Sequence, residues 1–257
     1  MGVSAVNKAF LKENIEKIQP ELSGFNPLQV LQWVEKNIDQ PVFASSLGQE
    51  DQVILHLIAA HQLAIPVITL DTGRLFPQTY DLIAESEERF GIKIQILFPD
   101  AAEVEAMVAA EGINLFLNGV EQRKHCCQVR KINPLRRALR QSGGWVCGLR
   151  REQSATRTEL QVVEWDAVNA IPKINPLFNW SLEQVTAYLK ENDVPYNPLH
   201  DQGFISIGCA CCTRAVQPGE DIRAGRWWWE TPEQKECGLH LVNGKLVRSK
   251  ELEKRHE

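Results

Sequence analysis

The sequence predicts an α/β protein built on a doubly wound, mostly parallel sheet. Two observations carry this. From Pro41 to Leu149, short apolar runs alternate with stretches of helical period, and three of the apolar runs end in polar turns. A third is size: 257 residues, with 44% hydrophobic and 24% charged side chains, suffice for one full core.

The elements follow in order. Ala5–Ile18 and Asn26–Ile38 read as a helical lead-in over residues 1–40. In the second of these Asn26 is an N-cap, Pro27 suits the first turn, and Leu28, Leu31, Val34 and Ile38 form one stripe. Pro41–Ser46 reads as a buried strand, followed by the turn Leu47–Asp51 and a helix with Val53, Ile54, Leu57 and Ile58 on one face. Pro66–Leu70 is the second strand, ending at Asp71-Thr72-Gly73-Arg74, and a helix runs from Pro77 to Phe90. Ile92, Ile94, Ile96 and Phe98 mark a third strand, and Val104, Met107 and Val108 a third helix in this series. Trp145–Leu149 is the fourth strand, ending at Arg150–Ser154. Beyond Val162–Ala170 the chain turns helical again, where Ser181 and Gln184 make a capping box ahead of Leu182, Val185 and Leu189. A stiff loop with Pro195, Pro198 and Gly203 follows. Residues 1–240 are expected to form a single domain, and the polar segment 241–257 a flexible tail.

In an open parallel sheet, ligands bind at the carboxyl ends of the strands. The three polar turns therefore supply the candidate binding residues Ser46, Gly48 and Glu50, then Asp71, Thr72, Gly73 and Arg74, then Arg150 and Arg151. The first turn, with small residues ahead of a helix, has the form of a phosphate cradle and equally that of an ordinary capped turn.

A formal net charge of −5 argues against nucleic acid as a bulk electrostatic partner. Basic residues nevertheless bunch at Arg123–Arg140, Arg150–Arg151 and Arg214–Arg226, a pattern suited to a small anion. No apolar run is long enough for a bilayer, and no signal-peptide h-region follows Met1. Gly2 lacks the Ser or Thr that myristoylation wants, because Val6 stands there. No membrane partner is expected, and the cytoplasm is the expected compartment. A homo-oligomer is compatible with the sequence.

Three of the seven cysteines crowd into Gly208-Cys209-Ala210-Cys211-Cys212. Cys209 and Cys212 have the C-x-x-C spacing at which two sulfurs reach one metal centre. Cys126 and Cys127 form a second pair, which completes the four-sulfur inventory of a zinc or iron–sulfur site. Adjacent helical side chains point about 100° apart, which favours a bulky cluster over a single zinc ion. The odd count suits a free reactive thiol, and Cys147 in an apolar run reads as a small buried hydrophobe.

The series Cys126-Cys127, Cys209-x-x-Cys212, Glu236-Cys237-Gly238-Leu239-His240 resembles the assimilatory adenylyl-sulfate reductases of bacterial and plant type. So do Ser46–Asp51, Leu70–Arg74, Arg130-Lys131, Arg150–Ser154 and Gly225–Glu230, so that the resemblance spans Pro41 to His240. It implies a sheet of the adenine-nucleotide alpha-hydrolase-like type. It implies a [4Fe–4S] cluster on Cys126, Cys127, Cys209 and Cys212. It also implies reduction of adenylyl sulfate to sulfite and AMP, with Cys237 attacking the sulfate sulfur and thioredoxin as reductant. His125 and Cys211 depart from the family's usual Glu and Pro; Cys209 keeps the ligand spacing.

Physical reasons run beside the resemblance. An anionic sulfate ester repels a thiolate unless cations offset its charge. Lys131, four residues after Cys127, is one turn along if the stretch is helical. Arg151, Arg223 and Arg226 offer guanidinium forks for sulfate and phosphate. Cys237 needs to be ionised near neutral pH to attack, which nearby cations can promote. Three other readings stay open: reduction of the 3′-phosphorylated nucleotide, a nucleotide-binding relative without redox chemistry, and a zinc-stapled interaction module.

Overall fold

The computed structural model describes residues 8–153, 159–221 and 224–231. It begins with two helices, α1 (Lys8–Ser23) and α2 (Pro27–Asn37). The first runs on through Pro20, past the expected end at Ile18; Ala5–Asn7 lie outside the described residues. The second starts with a reciprocal capping box: Asn26 accepts from Gln29 N, and Gln29 returns a bond to Asn26 N. Such a cap contributes about 1 kcal/mol.

Three strand–helix repeats follow. They comprise β1 (Pro41–Ser45), α3 (Gln49–Ala60), β2 (Val67–Leu70), α4 (Pro77–Phe90), β3 (Ile94–Leu97) and α5 (Ala101–Glu111). Then come α6 (Val120–Cys127), a five-residue π-turn over Gln128–Ile132, α7 (Asn133–Leu139) and β4 (Gly144–Val146). Val163–Asp166 (β5) and Ile171–Ile174 (β6) form a hairpin, and α8 (Leu182–Glu191) opens on the Ser181–Gln184 capping box. The hairpin corrects the expectation of four strands. Its inner strand carries Pro172, which argues against a central strand from sequence alone.

The six strands make one sheet in the order β3-β2-β1-β4-β6-β5. β1 pairs in parallel with both β2 and β4, β4 with β6 likewise, and β5 pairs antiparallel with β6. The chain works outward from β1 to β3 and then returns to the other side of β1. The reversal at β1/β4 is the switch point at which such sheets bind ligands. Among the described residues, no helix is long and apolar enough to cross a membrane.

The chain divides into two compact units. One takes its described residues from Met1–Thr69, Gln78–Ile96 and Ala138–Asn197; the other from Leu70–Pro77, Leu97–Arg137 and Pro198–Glu257. The first has a large aliphatic core in which the predicted stripe of α3 (Val53, Ile54, Leu57, Ile58) is buried. The core of the second is small and sulfur-rich: Met107, Leu115, Phe116, Val129 and Trp227 pack with Cys126 and Cys212, with Cys209 and Cys211 against them.

Candidate functional site

In the first unit the loops after β1 and β4 meet. Asp51, in the first turn of α3, accepts from Ser46 N at 2.5 Å and from Ser46 Oγ at 2.7 Å. Its other carboxylate oxygen lies so close to Gly148 that a Cβ there would stand 2.1 Å away, so glycine is the residue this approach permits. Gly48 is the N-cap of α3 and brings no capping side chain. The leading N–H groups of such a helix are the donors that suit an anion. Glu50 pairs with Arg150 Nε at 2.8 Å, and both side chains are largely buried. Arg150 further donates to Glu152 and to the Trp180 carbonyl. Arg151 donates to the Leu160 carbonyl and lies 4.8 Å over the Phe178 ring. Both guanidinium groups therefore have protein partners, and Arg150 is tied from several sides. Cys147 is buried, and burial pushes its thiol up to about 12, in keeping with the reading of an inert hydrophobe.

Burial also raises the Asp51 carboxyl from 3.8 to about 6, against the opposing pull of the Ser46 bonds. The unfolded chain then releases this proton at lower pH than the folded one. The resulting stability is fully present below about pH 3.8 and is lost as pH rises through about 6. About two pKa units correspond to roughly 3 kcal/mol. Urea unfolding between pH 4 and 7 should therefore show the native protein losing stability relative to Asp51→Asn as pH rises, with the difference levelling off above about pH 6. Parallel curves for the two proteins would contradict it.

The second unit holds the sulfur site. The turn after β2 places Thr72 Oγ1 3.2 Å from Cys209 Sγ, with Gly73 at φ +72°, in the left-handed region. Gly73 N donates to Asp71 Oδ1. Arg74 donates to Cys211 Sγ at 3.6 Å and to Asn114 Oδ1 at 3.0 Å, and its guanidinium lies 5.1 Å from the Phe116 ring. Arg130 donates to the Thr72 carbonyl at 2.8 Å. From the other side, Ala210–Cys212 forms a single 3-10 turn, and Cys211 Sγ stands 3.8 Å from Cys212 Sγ. Trp227 is buried at φ +42°, donates its N–H to the Cys212 carbonyl, and lies beneath the guanidiniums of Arg123 and Arg226. A left-handed non-glycine residue persists only where its surroundings hold it. Gly208 lets Arg226 lie close: a Cβ there would come within 2.5 Å of Arg226 Nη2.

The two distant cysteine pairs thus meet in one unit. Burial raises the Cys126 thiol, with the neighbouring Cys209 and Cys211 adding to the shift. Cys211 is shifted down by its contact with Cys212 and by Arg74, while Cys212 is held protonated by the same contact and by burial. Cys127 joins them electrostatically at Cys212. Among the described residues, no three His, Cys, Asp or Glu side chains are gathered as the ligands of a single ion. Arg130 Nε, Arg226 Nε and Trp229 Nε1 are buried donors with no hydrogen-bond acceptor among the described residues. Four grouped thiols, an apolar wall and three donors awaiting an acceptor fit a buried sulfur-rich anionic group.

Of the other sequence-predicted residues, Lys131 sits in the π-turn, half-buried. The expected α-helical turn from Cys127 to Lys131 is thus a wider one, a device found mostly at functional positions. Cys237, Arg223, Ser154, His240 and the segment 241–257 lie outside the described residues. Arg74 and Thr72, which the sequence offers as substrate binders, each touch a cysteine, and Arg74 also bonds to Asn114. Sequence reasoning passed over Arg130 and Asn114; the only signal for Arg130 was its place beside Lys131 after the double cysteine.

A family profile for the phosphoadenosine phosphosulfate reductase domain matches residues 40–215. A protein of Allochromatium vinosum named adenosine 5′-phosphosulfate reductase is 50% identical over 232 residues, covering 88% of this chain and 91% of its own. One of the same name from Agrobacterium fabrum is 46% identical over 237 residues, with 92% and 91% covered. Among solved structures, the phosphoadenylyl-sulfate reductase of Candida auris, in a phosphate complex, superposes with a TM-score of 0.69 at 30% identity, over 79% of this chain and 97% of that one. On a profile match that takes in the whole sheet, and on identity of about half along nearly the full length, the chain belongs to the phosphoadenosine phosphosulfate reductase domain family.

Proposed function

We propose that this chain is an oxidoreductase that reduces adenylyl sulfate to sulfite and AMP with thioredoxin as electron donor. The observation that carries the reading is the 50% identity to a protein named for that substrate. The grouping of Cys126, Cys127, Cys209 and Cys212 in one unit supports it.

The Cys237 thiolate attacks the sulfate sulfur and displaces AMP, leaving an S-sulfocysteine. A thioredoxin thiolate then attacks Cys237 Sγ and frees sulfite; its second thiol closes the thioredoxin disulfide, which supplies the two electrons. Gly48 and the leading N–H groups of α3, in the loop that the Ser46–Asp51 bonds hold, bind the nucleotide at the β1/β4 switch point. Glu50 and Arg150 hold each other and so fix that loop. Arg151, Arg223 and Arg226 neutralise phosphate and sulfate, and Lys131 offsets the charge at the attacked sulfur. Asp71, Thr72, Gly73 and Arg74 shape the wall of the sulfur site. The four cysteines would hold a [4Fe–4S] cluster, which when bound would tune the charge beside the substrate rather than donate electrons. AMP and sulfite leave as products, and the compartment is the cytoplasm.

The Candida auris similarity favours a second substrate, the 3′-phosphorylated nucleotide. Steady-state sulfite release with each nucleotide decides between them. The reading predicts a higher kcat/KM for adenylyl sulfate, dependence on thioredoxin, and iron rather than zinc by elemental analysis. A preference for the phosphorylated substrate, or zinc in place of iron, overturns the corresponding part. Lys131→Ala should lower kcat/KM by about a hundredfold while shifting unfolding stability by less than about 1 kcal/mol. Unchanged turnover would remove Lys131 from the site.

A further inference from the structure

A four-ligand site leaves one thiol of the second unit without a role. Cys211 lies between the two cysteines of the C-x-x-C pair and is not turned away from them. In a 3-10 turn, positions three apart share a face, so Cys209 and Cys212 stack and Cys211 belongs a third of a turn away. Its sulfur nevertheless closes to 3.8 Å from Cys212 Sγ, receives a bond from Arg74 Nη1 at 3.6 Å, and packs on the same apolar group as Cys126. Cys209, the assigned ligand, is engaged instead by Thr72 Oγ1 at 3.2 Å.

The geometry points to Cys211 as a reserve ligand of the cluster site. With Cys212 it forms an adjacent pair of the same kind as Cys126-Cys127, so the chain can present two adjacent pairs in place of one adjacent and one spaced pair. When Cys209 is lost, the Cys211 thiol gives its proton to solvent and its sulfur takes the vacated iron, with no change in oxidation state. Arg74, already in contact with Cys211, offsets the charge of the replacement thiolate. The inference rests on the cluster reading above.

The test uses the full chain and its Cys209→Ala, Cys211→Ala and doubly substituted variants, purified without oxygen, with iron and acid-labile sulfide measured per chain. Cys211→Ala should match the native protein, and Cys209→Ala should retain at least half the iron. The double variant should hold roughly fivefold less than Cys209→Ala. A Cys209→Ala protein as empty as the double variant overturns the reserve role while leaving the cluster reading intact, and so does loss of iron from Cys211→Ala alone. Native protein without iron overturns the cluster reading, and this inference with it. Cys209→Ser, closer in size and a poor iron ligand, is read in the same way if the alanine variant does not fold.

Discussion

Replacing Cys237 by serine should lower sulfite release by about a thousandfold or more, because a serine hydroxyl is not ionised near neutral pH and a thiolate is the nucleophile the reaction needs. The substitution changes one atom of a residue that is not among the four proposed cluster ligands, so iron content and adenylyl-sulfate affinity should stay close to native. A loss of turnover without loss of binding marks an interaction needed for the chemical step rather than for holding the ground state. Sulfite release with saturating thioredoxin, alongside equilibrium binding of the nucleotide, checks both halves. Near-native turnover would place the nucleophile elsewhere.

The largest effect on folding is expected at Arg123. Its side chain is 1% exposed and that of its partner Glu230 is 3% exposed, with Arg123 Nε and Nη2 donating to the two carboxylate oxygens at 2.9 and 2.8 Å. The guanidinium also lies 4.3 Å from the Trp227 ring centre. The pair joins α6, which carries Cys126 and Cys127, to the segment after Cys212, within the smaller core. Arg123→Ala leaves Glu230 buried and uncompensated, which destabilises by about 3–5 kcal/mol. Replacing both members with apolar residues of similar size should recover much of that loss, since the pair's attraction is offset by its own desolvation. Urea unfolding of the native, single and double variants measures this. A single variant within about 1 kcal/mol of native would show that the pair has little bearing on stability.

Much of this was legible because the signals are local. The capping boxes at Asn26 and Ser181 lie within three residues of themselves, and the strand–helix alternation up to β4 repeats a pattern that short windows detect. The cysteine motifs were legible as chemistry, since sulfur at those spacings has few other uses. Long-range partnership was not legible. That Arg150 is held by Glu50, 100 residues away, cannot be read from a short window of sequence. Nor can the reach of Arg74 to Cys211 and Asn114 be read from its local sequence. The β5–β6 hairpin escaped because Pro172 interrupts the strand signal and because β5, an antiparallel edge, takes its place from pairing with β6. The π-turn escaped because one extra residue per turn leaves composition unchanged, although it re-aims every side chain from Gln128 onward.

In the proposed reaction a sulfur other than the four cluster thiols takes a sulfuryl group from the nucleotide. The most direct measurement is the intact mass of the protein after mixing with adenylyl sulfate in the absence of any thiol reductant. The account predicts a gain equal to one SO3 per chain, located on Cys237 by peptide mapping and removed by reduced thioredoxin as sulfite. An unchanged mass, or the same gain mapped to a different cysteine, would contradict it.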